Sequence, residues 1–364
     1  MKPSLWKKSV IKWAPAIFCL FVLSVTAGAE TIKIATYNVG NLFDAVDDGN
    51  EYPEYDPAGP YGWNRDMADT KAANIARVLT ALKADIVCLQ EVESRRALDL
   101  LLNHLQDNGI PYPYSAIADQ NKTAVKCAVI SSRPIIDRQE LSPGKGMRSI
   151  LQVTARCGQR PLVLFINHWK SKQGPESLRL AYARALRNAV DRLGPGTDYI
   201  IAGDFNANYD EFVTLPVEPS LNDTGGVTGI NHVLGTIVNN CLVTETDLNP
   251  AATGRRYNLW LELSPDRRWS YLYFDRKNTP DSLILPRALY DGNGIDYVDN
   301  SFDKFDPGFL FDGRQNIYRW QRTDRGRGKH LGRGYSDHLP VFALFSTEPF
   351  RPAADGIKKP VESP

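Results

Sequence analysis

Apolar and polar positions alternate along this chain in blocks that predict strands and helices arriving in turn. Residues 31–37 (TIKIATY) read as a strand that delivers Asn38, after which Gly40 and Asn41 turn the chain. Ile75, Val78, Leu79 and Leu82 recur at helical spacing and predict a helix over 70–82, capped by Thr70. The run from Asp85 is the length of a buried strand and ends in Gln90 and Glu91. Leu98, Leu101, Leu102 and Leu105 then mark a second amphipathic helix. Strands are predicted over 125–131, 149–155 and 162–166, the last leading into Asn167, His168, Trp169, Lys170, Ser171 and Lys172. A helix over 175–193 follows.

The apolar run 198–202 stops abruptly at Gly203, and Asp204 and Asn206 stand just beyond it. An aromatic strand is expected over 268–274, and a strand over 281–286 opens on Asp281. A closing strand over 341–345 follows Tyr335, Ser336, Asp337 and His338. Strand and helix signals both recur, with several strands in succession, which predicts a mixed-sheet α/β layered domain.

Between these blocks lie two charged segments. Residues 44–69 carry Asp44, Asp47, Asp48, Glu51, Glu54, Asp56, Asp66 and Asp69 among prolines and glycines. Their spacing does not match a compact calcium loop, so a solvated insertion is the expectation. Arg314, Arg319, Arg322, Arg325, Arg327, Lys329 and Arg333 are interleaved with glycines, the composition of a flexible solvated arm. The arm runs directly into Asp337 and His338, a placement suited to phosphate contact.

The first 29 residues stand apart: Lys2, Lys7, Lys8 and Lys12 precede an apolar run, and Ala27-Gly28-Ala29 follows. That order reads as a secretory signal cleaved near Ala29, and the run, interrupted by Pro15, is short for a membrane span. With those four lysines gone from 43 basic against 42 acidic residues, the mature charge is about −3. Such a charge gives no global signal for nucleic acid, so any anion-binding surface must be local. Cys88, Cys127, Cys157 and Cys241 form no C-x-x-C, which argues against a zinc site; Cys88 and Cys127, in apolar strand-like runs, read as free buried thiols, with a disulfide of unassigned pairing allowed in an exported protein. The expected division is a signal over 1–29, a catalytic domain over 30–347 and a disordered tail over 348–364.

Six strand-end positions thus offer Asn38, Glu91, His168, Asp204 with Asn206, Asp281, and Asp337 with His338. Together they supply hard oxygen ligands, phosphate donors and an acid–base pair, the requirements of phosphate-ester hydrolysis. In that order, TYNVGNLFD, LQEVES, NHWKSK, GDFNAN and YSDHLPV resemble the endonuclease/exonuclease/phosphatase superfamily, with its deoxyribonuclease-I-like fold. The resemblance spans nearly the whole chain after residue 30. It implies a four-layer α-β-β-α sandwich of two mixed β-sheets flanked by helices.

It also implies roles: Glu91 as principal metal ligand, with Asn38 beside it and Asp337 near the ion. Asp204 orients or deprotonates water, and Asn206 steadies it and a phosphate oxygen. His338 is general base or phosphate ligand, and Asp281 fixes its tautomer, with Asp275, Asp291 and Asp296 as competing carboxylates. His168, with Lys170 and Lys172, contacts the phosphate. The implied cofactor is Mg²⁺, with Mn²⁺ as a substitute and Ca²⁺ left open. The implied activity is that of an exported monomeric phosphodiesterase, a nuclease acting on extracellular DNA or RNA, with Trp169 and Trp269 as candidate exposed aromatics. A phosphomonoesterase or phospholipid/sphingomyelin-type phosphodiesterase is the alternative, and an inactive scaffold would have lost one of these groups. No protein partner or stable membrane insertion is implied.

Overall fold

The computed structural model describes residues 30–248 and 253–348, so the leader and all but the first residue of the tail lie outside it. Thirteen strands and three long helices make the framework. They are β1 (Thr31–Leu42), α1 (Arg65–Leu82), β2 (Ile86–Val92), α2 (Arg95–Asp107), β3 (Tyr114–Ile117), β4 (Lys126–Ser131) and β5 (Ile135–Leu141). There follow β6 (Ile150–Cys157), β7 (Arg160–His168), α3 (Glu176–Val190), β8 (Tyr199–Asp204), β9 (Arg256–Asn258) and β10 (Asp281–Pro286). The short β11 (Asp296–Tyr297) and β12 (Asp303–Lys304) precede β13 (Val341–Ser346).

One sheet has the order β11-β13-β1-β2-β4-β3, with β12 also on β13; the other runs β9-β10-β8-β7-β6-β5. Each is antiparallel except for one central parallel pair, β1 with β2 and β7 with β8. A parallel pair needs a crossover, and α1 and α3 provide it.

Side-chain parity along the strands builds the layers. Ile32, Ile34, Ile86, Cys88, Leu164, Ile166, Ile200, Ala202, Leu283 and Leu285 fill the core between the sheets. The intervening Ala35, Tyr37, Val87 and Leu89 pack on α1 and α2. Val163, Phe165, Tyr199 and Ile201 pack on α3 instead. The arrangement is the four-layer α-β-β-α sandwich expected from the sequence, with both outer faces of the paired sheets covered.

Local differences have local causes. Helix α1 begins at Arg65, five residues before the predicted start, because Asn64 caps it by accepting from the Met67 amide at 3.0 Å. Its first turns bury Ala68 and Ala72, too small to show as an apolar stripe. The aromatic 268–274 segment contributes only a two-stranded hairpin, Tyr271–Tyr273 with Arg276–Asn278, outside both large sheets.

The acidic segment is not a solvated insertion. Its Tyr55 and Trp63 form a buried aromatic cluster with Phe43 just ahead of it, the Phe43 and Tyr55 rings stacked at 4.3 Å. His330 of the basic arm packs on Trp63, accepts from Trp320 Nε1 at 2.9 Å through Nδ1, and meets the Glu54 carbonyl at 2.7 Å through Nε2. The arm is correspondingly ordered, with Arg319 bridged to Tyr335 and Arg322 to His330. Interleaved aromatics, invisible to a periodicity argument, clamp the two charged segments together. Cys88, Cys127 and Cys157 are buried free thiols, and Cys241 is exposed and free. Among the described residues no helix is long and apolar enough to cross a membrane.

Asp198, at the head of β8, is buried and accepts from the Ile295 amide at 2.8 Å. Gly294 lies so close that a Cβ there would sit 2.4 Å from Asp198 Oδ2. Burial raises this carboxyl to about 6, opposed by the Ile295 amide and reinforced by the charges of Asp291 and Asp296. The folded state therefore holds the proton more tightly than the unfolded chain. The associated stability is full below about pH 4 and is lost as pH rises through about 6. Asp198→Asn is expected to remove about 1–3 kcal/mol of that loss, read by urea unfolding at the two ends of the window. Equal pH dependence in the variant and the wild type would contradict this.

Candidate active site

The rows that make the inter-sheet core continue, at one rim, into polar residues. On β1 the row Ile32, Ile34 runs on to Thr36 and Asn38; on β7 it ends in His168; on β8 it ends in Asp204. On β10 it begins with Asp281. Register brings the last three side by side, Asp204 lying opposite Asp281 on one flank and His168 on the other. Strand β8 can sit this close to β7 only through Gly203. At φ +139° a Cβ there would lie 2.1 Å from the Asn167 carbonyl oxygen.

Glu91 breaks the parity rule. Gln90 takes the inward position on β2 and pairs with Thr36 through Nε2–Oγ1 at 3.0 Å. Glu91 adopts φ +64°, at a register irregularity shared with β1 and β4, and this turns its carboxylate to the rim. Asn41 donates its amide to Oε2 at 2.8 Å, and Asn38 donates to Oε1 at 3.1 Å.

Asn38 Nδ2 also donates to Asp204 Oδ2 at 2.9 Å, while its carbonyl accepts from the Gly40 amide at 3.0 Å. Its amide hydrogens are spent on two carboxylates, so Asn38 ties Glu91 to Asp204. Its side-chain oxygen, which accepts only from the Gly40 amide, keeps a lone pair on the Glu91 side of the rim. His168 Nε2 lies 3.7 Å from both Glu91 Oε1 and Asp204 Oδ2. Asp204 Oδ1 accepts from the Asn206 amide at 2.8 Å. The Asn206 side chain donates one of its two amide hydrogens to the Trp169 carbonyl at 3.0 Å, which leaves the other for a phosphate oxygen or water.

His338 comes from the loop before β13. Its Nδ1 meets Asp281 Oδ2 at 2.7 Å, and Ser270 Oγ donates to the same oxygen at 2.6 Å. Asp281, of the four candidate carboxylates, is thus the one the fold gives to this histidine. Ligand atoms of Asp204, Asp281 and His338 lie within 4.8 Å of one another. Ser336 fixes the loop by donating to the Asn38 carbonyl at 2.6 Å and accepting from the His338 amide.

The electrostatics sort these groups. Burial alone would lower His338, but the charge and hydrogen bond of Asp281, with the charges of Asp204 and Asp337, hold it well above its ordinary value. Burial pushes His168 well below, helped by Arg148 and His338, so it is neutral. Asp204 is raised to about 6, chiefly by burial and by the charge of Asp281, against His338. Burial and the nearby charge of Asp337 raise Glu91. Mutually repelling carboxylates with few fixed cations are a donor set that fits a hard divalent ion, and Glu91 and Asp337 are the two that would hold it.

Of the lysines expected at the phosphate, Lys172 is paired with buried Glu211 at 2.8 Å, and the Lys170 stem folds over the Gly174 turn. Arg148, which sequence reasoning missed, also reaches the site. Its guanidinium donates to the carbonyls of His168 at 3.1 Å and Trp169 at 2.6 Å, and its charge reaches Glu91 and His168. The only signal was an arginine in a glycine-flanked turn just ahead of a strand. Trp169 is buried against Phe205 and Tyr182, and Trp269 is half-buried beneath Lys304, so neither is the exposed aromatic that was expected.

The family model described as Endonuclease/Exonuclease/phosphatase family matches residues 33–347. No curated protein sequence matches the chain. Among solved structures, D. rerio TDP2 humanized by 14 mutations is similar with a TM-score of 0.53 at 14% identity, over 86% of this chain and 98% of that one. D. rerio TDP2 complexed with single strand DNA product gives 0.51 at 15%, over 86% and 98%. TDP2 from Caenorhabditis elegans gives 0.51 at 14%, over 87% and 74%. These likenesses concern the fold, whereas the family match extends over nearly all the described chain. The protein therefore belongs to the endonuclease/exonuclease/phosphatase family, metal-dependent hydrolases of phosphoester bonds.

Proposed function

We propose that this chain is an exported, Mg²⁺-dependent phosphodiesterase that cleaves nucleic acid. The observation that carries the reading is the unbroken row Glu91–Asn38–Asp204 beside the His338–Asp281 pair. His338, kept protonated by Asp281, presents Nε2 to a phosphate oxygen and stabilises charge as it develops. A protonated imidazole cannot also take a proton from water, so that task falls to Asp204, whose value near 6 suits a base working at neutral pH. Asn38 holds Asp204 and Glu91 in register, and neutral His168 with Arg148 lines the phosphate side. Glu91 and Asp337 would hold a divalent cation, Mg²⁺ or Mn²⁺ in its place, which would supply Lewis-acid polarisation of a phosphoryl oxygen.

Export rests on the leader ending at Ala29, with 30–347 as the catalytic domain, 348–364 as a tail and a monomer as the working form. Nucleic acid is favoured by the exposed arginines of the ordered arm leading to Asp337, and TDP2 complexed with single strand DNA product is an example on a similar fold. The phospholipid alternative has one observation on its side, an exposed aromatic hairpin tip at Phe274.

A substrate panel on the mature protein decides between them. DNA or RNA is expected to be cleaved with Mg²⁺ or Mn²⁺ and spared with chelator. Turnover confined to sphingomyelin or to phosphomonoesters would overturn the nuclease reading.

A further inference from the structure

An aromatic track leads away from His338. The Tyr271 ring lies 4.7 Å from the imidazole, Tyr273 follows at 6.5 Å with the planes 18° apart, and Phe274 meets Tyr273 edge-on at 4.7 Å. Exposure rises outward: Tyr271 is half-buried, Tyr273 is 56% exposed and Phe274 is 84% exposed. The hairpin is anchored at its base, where Tyr271 bridges His338 and Thr279 donates its amide to Asn208 Oδ1 at 2.9 Å. Its tip turns through left-handed Phe274 and Asp275. Two rings are thus held in water at the end of a hairpin whose root touches the catalytic histidine. Nothing in the core requires them there, since the hydrophobic effect favours their burial.

Their charged neighbours indicate the occupant. Arg276 in the same turn is exposed and, among the described residues, pairs with no carboxylate. Exposed Arg319 of the basic arm is close enough for its charge to act on the Tyr271 hydroxyl. Flat apolar faces beside free cations, continuous with a phosphate site, match a strand whose bases are unpaired and whose phosphates are charged. A bilayer anchor would need a broader apolar face, yet the two-residue tip runs straight into Asp275, Arg276 and Lys277. In a closed duplex the base faces are stacked on one another and are not available to these rings.

We infer that the Tyr271–Tyr273–Phe274 hairpin is a stacking subsite for the unpaired nucleotides adjoining the scissile phosphate, making the protein selective for single-stranded or frayed nucleic acid. The inference rests on the nuclease reading above and names the form of its substrate.

The test compares wild type, Tyr273→Ala/Phe274→Ala and Tyr273→Trp/Phe274→Trp, with melting temperature reporting the fold. Binding of a fluorescent short oligothymidylate is measured by anisotropy in chelator, and its cleavage with Mg²⁺. The alanine pair is expected to weaken binding about tenfold or more, the scale of losing base–aromatic stacking, and to raise KM for the single strand. The tryptophan pair is expected to restore both. Unchanged affinity in the folded alanine pair would overturn the subsite, as would a loss seen only with sphingomyelin-containing vesicles. Failure of the wild type to hydrolyse any phosphodiester, bis(p-nitrophenyl) phosphate included, would instead defeat the nuclease reading itself.

Discussion

Asp204→Ala is expected to lower kcat by on the order of 10³-fold while leaving the protein folded. The side chain is nearly inaccessible but stands at the rim, where the apolar row of β8 has ended. Removing it therefore opens no core cavity; it frees the Asn38 amide and the Asn206 backbone amide. Because Asp204 is assigned the proton from water, KM is expected to move far less than kcat. His338→Ala acts on the same transition state, so the double variant is expected to fall well short of the product of the two losses. Steady-state kinetics on a chromogenic phosphodiester, with circular dichroism as the fold control, read both. Wild-type turnover in Asp204→Ala would remove the base from this account.

Glu91→Gln carries the second large effect. The substitution keeps size and an acceptor for the Asn41 amide but removes a charge that Asp337 alone cannot replace. The metal concentration for half-maximal activity is expected to rise by more than about 100-fold, beyond what loss of an outer-shell partner typically causes. Turnover at saturating metal falls less. An unaltered metal requirement would place the ion elsewhere.

Strand alternation was enough to read the layers, because the same parity that fills the core also aims Asn38, His168, Asp204 and Asp281 into one rim. The polar ends of those rows were therefore legible. Two things were not legible in the alternation. Glu91 reaches the rim through a left-handed residue that violates alternation, and no local pattern announces such a break. Arg148 is brought to the site by its bonds to β7 carbonyls, which exist only once the sheet has formed. Asp281, read ahead of Asp275, Asp291 and Asp296 because it opens a strand, is the carboxylate that the register of β10 with β8 brings to His338.

Strand β5 was missed for a simpler reason: Asp137, Arg138 and Gln139 are exposed on an edge strand and carry no apolar alternation. Charge reading also misjudged segments 44–69 and 314–333, since acid and base runs there are held by aromatics and by each other. Arg322 lies 3.7 Å from Glu54 across that contact.

A single divalent site at the β1–β2 rim is the centre of the proposed chemistry, and manganese makes it visible. Crystals soaked in Mn²⁺ are expected to show an anomalous peak at coordination distance from Glu91 and Asp337, absent from Glu91→Gln crystals. A peak confined to the Asp48, Glu51 and Glu93 cluster, with none beside Glu91, would contradict it.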